Sequence, residues 1–153
     1  MTSKSKLQTQ KLAAGLAGKI LKRQASGLRR RASVIALLGE LGAGKTTFTQ
    51  GFARALGVES RVASPTFIIF RKHEIGECGL HKHIKHIFHF DLYRIQKPQE
   101  ILKLGFKKII NDPDNIVLIE WPEKIKGILP KNTIWVHFEH GKSLNQRNIK
   151  ISK

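Results

Sequence analysis

Acidic residues are scarce in this chain. Eleven Asp and Glu stand against 28 Lys and Arg in 153 residues, a formal charge of +17, and the first carboxylate is Glu40. Such a field draws polyanions and strengthens encounters with phosphate and RNA, but it carries no information about fold. Aromatic residues make up only 7% of the chain, and no aromatic-rich strand pair of an RNA module is present, so direct RNA contact rests on charge alone. Cysteine occurs once, at Cys78, which excludes an intrachain disulfide and is compatible with a reducing compartment. No apolar run approaches the roughly 20 residues that cross a bilayer. The expectation is a cytoplasmic protein with no membrane partner.

Apolar residues nevertheless reach 41%, enough to bury a core of one domain. The acid-free stretch before Glu40 has the composition of an organelle presequence. Against that reading, Leu12, Leu16 and Ile20 recur every four residues, as on the buried stripe of a helix. We therefore expect a single domain over 1–153, with residues 1–30 forming an N-terminal helix and a basic link.

The rest of the chain alternates between short apolar runs and helical patterns. "SVIALL" is continuously apolar, as suits a strand buried on both faces of a parallel sheet. "KTTFTQGFARALG" places Phe48, Phe52 and Leu56 four apart, with Gly57 as a helix stop. "FIIF", "IFHFD" and "NIVLIE" read as further strands, and "KPQEILKLGF" as a helix begun near Pro98. "TIWVHFE" and "RNIKIS" read as terminal strands paired through a polar turn. Residues 71–86 form the least regular piece, a charged loop or hairpin. The fold class is α/β: a three-layer domain with a largely parallel, partly mixed central sheet, of the P-loop NTPase type once the Gly-x4-Gly-Lys-Thr loop "GELGAGKTT" between its first strand and helix is counted.

The chemistry concentrates in "GELGAGKTTF", Gly39 to Phe48, which follows a predicted strand and opens a predicted helix. Glycines there let the backbone N–H groups of Gly42, Ala43, Gly44 and Lys45 turn toward phosphate oxygens, and the helix N-terminus adds partial positive charge. Lys45 supplies a point charge for the β and γ phosphates, and the Thr46 hydroxyl suits Mg²⁺. The whole stretch Glu40, Leu41, Gly42, Ala43, Gly44, Lys45, Thr46 and Thr47 is the expected nucleotide cradle.

A magnesium ion beside a triphosphate needs a second protein oxygen, commonly an acid at a neighbouring strand tip. Two strands end so: "IFHFD" at Asp91 and "NIVLIE" at Glu120. One can hold the ion while the other orients a water. Thr66 in "SPTF" lies where GTPase-like proteins carry a switch threonine, or simply caps a turn. Trp121 either packs over the nucleotide or fills the core. The guanine-reading Asn-Lys-x-Asp pattern is absent, which favours ATP. No protein-kinase catalytic loop is present. Five of seven histidines lie between His73 and His89, with Cys78 among them. Their spacing matches no familiar zinc site, and a solvated, partly protonating loop is the expected reading.

Taken in order, "GELGAGKTTFTQGFARALG", "SPTF", "HFDLYRI", "LGF", "LIEWPEKI" and "LP" resemble the TsaE family of bacterial ATPases over nearly the whole chain. The resemblance implies ATP and Mg²⁺ as cofactors and a part in making N6-threonylcarbamoyladenosine at position 37 of tRNA. It implies a TsaB–TsaD complex as partner, and slow ATP hydrolysis that resets that complex. It implies that Lys45 and Thr46 hold phosphates and metal with Glu120 as second metal ligand. By the same resemblance Asp91 serves hydrolysis, Thr66 acts as the switch residue, and Arg147 closes over the base. The tRNA would be met indirectly, or directly through the basic surface. Three departures stand out: Glu40 in the loop, where the family more often has Asp and the charge is kept, the histidine- and lysine-rich 71–86 segment, and the strongly basic overall charge. The competing readings are a small-molecule kinase sharing the same loop, and an RNA-binding module that nucleotide merely locks.

Overall fold

In a computed structural model, residues 1–25, 31–58, 62–63, 68–75, 84–143 and 145–152 are described. A short strand β1 (Thr2–Ser3) precedes helix α1 (Lys6–Ala25), strand β2 (Ser33–Leu38) and helix α2 (Lys45–Ala55). Strands β3 (Phe70–Glu74) and β4 (His86–Asp91) follow, then the short helices α3 (Pro98–Lys103) and α4 (Phe106–Asn111). Strand β5 (Asn115–Glu120), a 3₁₀ segment (Pro122–Ile128), and strands β6 (Ile134–His140) and β7 (Arg147–Ser152) complete the chain.

The seven strands form one sheet in the order β1-β7-β6-β2-β5-β4-β3. Its centre, β6-β2-β5-β4, is parallel, and both edges are antiparallel. β5 is buried at all six positions, which accounts for its unbroken apolar centre, Ile116–Ile119. The sheet alternates its side chains between two cores. On one face Ile35, Leu37, Ile87, Ile116 and Leu118 meet α1 and α2 through Leu16, Ile20, Phe48 and Phe52. On the other, Val34, Phe88, Phe90, Val117 and Ile119 meet α3, α4 and the 3₁₀ segment through Ile101, Phe106 and Ile125. Helices on both faces of a mostly parallel sheet make the expected three-layer α/β domain.

The helix pair on the first face is unusually close. A Cβ on Gly51 of α2 would stand 2.5 Å from Cα and 2.7 Å from the carbonyl oxygen of Gln10 on α1. The crossing thus admits only glycine at that point. The predicted stripe of α1 is buried at Leu16 and Ile20, with Leu12 packed partly against it.

Four local readings need correction. The second strand, expected over "FIIF", is Phe70–Glu74. Ile68 and Ile69 precede it, Phe67 lies outside the described residues, and Arg71–Glu74 follow the hairpin rather than the loop alternative expected for 71–86. Antiparallel pairing with β4 makes them a strand, although only His73 among its five residues is buried. The helix begun at Pro98 ends at Lys103, and a separate helix starts at Phe106. Gly105, in the left-handed conformation at φ 80°, turns the chain between them. The 3₁₀ segment after Trp121, kinked at Ile125, and the strand β1 carry too few residues for a periodic signal. Finally, His73 is a buried strand residue, 5% exposed, rather than part of a solvated loop, and His89, within the expected strand "IFHFD", is 0% exposed.

Candidate active site

The loop between β2 and α2 is shaped by its glycines. Gly44 takes φ 101° as the residue before α2, a left-handed conformation that a side chain disfavours. Ala43 is fully buried, whereas Glu40, Leu41 and Gly42 are exposed. One expected phosphate donor is engaged within the loop itself: the Ala43 N–H bonds the Glu40 carbonyl at 3.2 Å, closing a turn.

Lys45 opens α2 and folds back over the loop. Its Nζ donates to the carbonyls of Gly39 at 2.6 Å and Glu40 at 2.8 Å, and lies 4.2 Å from the centre of the Trp121 ring. The residue is 4% exposed. Burial pushes its ammonium below the usual lysine range, while the charges of Glu120, Glu123 and Asp91 act in the opposite direction. In this structure the ammonium is thus satisfied by carbonyls and an aromatic face, with carboxylates nearby.

Trp121 owes its place to the backbone. It adopts φ 60°, ψ 48°, a conformation rare for a bulky residue, directly after the last residue of β5. The turn lays the indole across Lys45 and brings it 5.2 Å from the Tyr93 ring. Lys124 ties this corner together by bonding the carbonyls of Tyr93 and Ile95.

The two expected carboxylates do converge. β4 and β5 run parallel with Asp91 opposite Glu120, both buried, and the Leu92 N–H bonds the Glu120 carbonyl at 3.1 Å. Thr46, from α2, donates its hydroxyl to Glu120 at 3.0 Å (Oε1) and 3.3 Å (Oε2). The Asp91 carboxylate accepts from the Tyr93 N–H at 3.1 Å. Arg147, from β7, reaches over the loop and donates to the Gly42 carbonyl at 3.0 Å. Thr47 is half-buried on the first turn of α2. Thr66 lies outside the described residues, as do Cys78, His81 and His83. His86, from the same run of histidines, stands on β4 with Nδ1 3.3 Å from Asn115 Oδ1.

His89 is the member of this cluster that sequence reasoning missed. Its Nε2 lies 2.9 Å from Glu120 Oε1. The available signal was a histidine interrupting the apolar alternation of "HIFHFD". Among the described residues no three His, Cys, Asp or Glu side chains form a metal-binding group. The hard oxygens of Thr46 and Glu120 therefore suit an ion that takes few protein ligands and completes its shell from phosphate and water, as Mg²⁺ does.

Comparison with known proteins gives this arrangement a family. The model for "Threonylcarbamoyl adenosine biosynthesis protein TsaE" matches residues 3–149. The chain belongs to the TsaE family. It is 40% identical over 110 residues to the TsaE of Haemophilus influenzae, a stretch covering 72% of this chain and 65% of that protein. It is 37% identical over 103 residues to that of Bacillus subtilis, covering 67% and 59%. These matched stretches therefore span less than two thirds of either relative. Both relatives are named as tRNA threonylcarbamoyladenosine biosynthesis proteins. The crystal structure of Bacillus subtilis YdiB superposes with a TM-score of 0.69 at 25% identity, over 97% of this chain and 80% of that one. The structural match thus covers more of this chain than the stretches aligned with the two relatives.

Proposed function

We propose that this chain is a Mg²⁺-dependent ATPase that supports formation of N6-threonylcarbamoyladenosine in tRNA, acting on a TsaB–TsaD complex. One observation carries the reading: the Thr46 hydroxyl and the Glu120 carboxylate, from different elements, meet at 3.0 Å beside a glycine loop closed by a buried lysine.

In this reading Lys45 gives up its loop carbonyls for the β and γ phosphates, and the backbone N–H groups at the start of α2 bind the same oxygens. Thr46 and Glu120 hold Mg²⁺, which, when bound, neutralises charge on those phosphate oxygens. Asp91, in register with Glu120, orients the attacking water and receives its proton. Arg147 lies over the loop and covers the nucleotide on the β7 side. Thr66 takes the switch role through family resemblance. The excess of basic residues steers the protein toward tRNA-bearing partners.

The test has two arms. Calorimetry should register Mg·ATP binding to the native protein, and none to Lys45→Ala. Co-purification with a TsaB–TsaD pair should depend on ATP, and the mixture should hydrolyse ATP faster than the chain alone. Asp91→Ala should bind ATP but not turn it over. Normal ATP binding by Lys45→Ala would overturn the site assignment. Rapid phosphate transfer to a metabolite, indifferent to the partner proteins, would favour a kinase instead.

A further inference from the structure

His89 occupies a place where an apolar residue would serve the fold better. It lies on β4 between Phe88 and Phe90, and its register partner on β5 is Leu118. Ile87 and Leu118, on the same face, belong to the apolar core beneath α2. Its side chain is 1% exposed and that of Glu120 4%. Facing a carboxylate, which only accepts hydrogen bonds, Nε2 acts as donor. The other ring nitrogen, Nδ1, is buried without a hydrogen-bond partner among the described residues. Burying a polar ring for one satisfied nitrogen is a net cost to folding. A buried charged or polar pair of this kind adds little stability over well-packed apolar side chains. Stability alone therefore does not account for this histidine.

Its single bond falls on a consequential atom. Glu120 Oε1 is held from one side by His89 at 2.9 Å and from the other by the Thr46 hydroxyl at 3.0 Å. A glutamate at a strand tip has three rotatable side-chain bonds and no fixed direction of its own. Anchoring Oε1 to a ring that is itself locked in the core restricts the carboxylate to one orientation, in which the Thr46 hydroxyl lies 3.0 Å from Oε1 and 3.3 Å from Oε2. Carboxylates that ligate metals are commonly oriented by such a second hydrogen bond, and losing it typically costs 10–100-fold in metal affinity.

We propose that His89 is a positioning residue for the divalent metal of this site: it fixes Glu120 so that a metal-ready oxygen is preset before nucleotide arrives. The proposal rests on the assignment of Thr46 and Glu120 as metal ligands made above. The phosphate-binding role of Lys45 and the loop does not depend on His89, so metal and nucleotide affinities should separate when the histidine is changed.

Two polar variants make the test. Glutamine places its amide nitrogen near the position of Nε2, whereas asparagine reaches only as far as Nδ1. Mn²⁺ serves as the probe, with free ion followed by electron paramagnetic resonance in the presence of a non-hydrolysable ATP analogue. Analogue affinity in EDTA is measured in parallel by calorimetry. For His89→Asn the apparent Mn²⁺ dissociation constant should rise by about 10-fold or more, with metal-free analogue affinity within twofold of native. His89→Gln should recover most of the Mn²⁺ affinity. His89→Leu, which restores an apolar strand, should match His89→Asn in Mn²⁺ binding and fold at least as stably. Native-like Mn²⁺ affinity in folded His89→Asn or His89→Leu overturns the proposal. So does an equal loss in Asn and Gln variants, or a parallel loss of analogue affinity in EDTA, because either marks a merely structural histidine. If the native protein binds analogue but no Mn²⁺, the metal-ligand assignment itself is overturned; if it binds neither, the nucleotide site is.

Discussion

The two faces of the sheet are packed by different means. Beneath α1 and α2 the contact is made close by small residues: Ala13 and Ala17 are fully buried, and Gly51 admits the Gln10 backbone. Beneath α3, α4 and the 3₁₀ segment it is made by rings: Phe90 meets Phe106 edge-on at 5.4 Å and Phe70 at 4.9 Å. The candidate site takes Lys45, Thr46, His89, Asp91 and Glu120 from the first face, where α2 stands close enough for Thr46 to touch a strand-tip carboxylate, and Trp121 from the margin of the second. The second face has no such distance to keep and can be filled with bulk. On the first face small residues set the helix spacing while Phe48, Phe52 and Phe138 fill the space that remains; on the second, aromatic residues supply most of the buried contact.

If this division is right, substitutions on the two faces should fail differently. The largest effect should come from Lys45→Ala. It should lower Mg·ATP affinity by at least on the order of 100-fold, since several charge-assisted contacts are lost together. Its melting temperature should hold or rise, because a buried cation is removed. A large drop in stability would mean that Lys45 is structural. Next, Phe106→Ala should cost about 3–5 kcal/mol, a fall on the order of 10 °C in melting temperature. Below that temperature the ATP affinity should be nearly native. Calorimetry at low temperature separates the two quantities, and a lost site would erase the distinction between the faces.

Gly51→Val should be milder in stability, about 1–3 kcal/mol, yet it should weaken Mg²⁺-dependent nucleotide binding disproportionately by tilting α2. Equal losses with and without Mg²⁺ would argue against distance-setting by this glycine. The smallest effect concerns His73. Burial, then the charges of His89 and Arg71, hold its ring below the ordinary histidine value of 6.5. The unfolded chain thus binds the proton first, so stability should fall as pH drops below about 6.5. Chemical denaturation from pH 7.5 to 5 should show a shallower fall for His73→Gln. An unchanged slope would assign the loss to other groups.

Much of this arrangement was visible in the amino-acid order, for physical reasons. "SVIALL" and "NIVLIE" match β2 and β5 to the residue because strands buried on both faces leave no polar positions to blur their ends. The glycine loop announced itself because Gly44 and Lys45 are tied to a backbone requirement as well as a chemical one. Asp91 and Glu120 could be nominated as strand-tip acids. Their pairing, and the reach of Thr46 to Glu120, depend on strand order, which local pattern does not encode. β3 was obscured because an edge strand with one buried residue in five looks like a loop. His89 was hidden in a tally of histidines, since exposure cannot be read from composition.

The strained turn at Trp121 has a practical corollary. The chain holds two tryptophans, and the other, Trp135, lies on β6, apart from the Lys45 contact. Indole emission responds to a cation lying over the ring, so withdrawal of Lys45 toward a phosphate should change the fluorescence of an unlabelled protein. The backbone distortion that lays the indole on Lys45 would thereby give the proposed nucleotide site an optical gauge of its own filling.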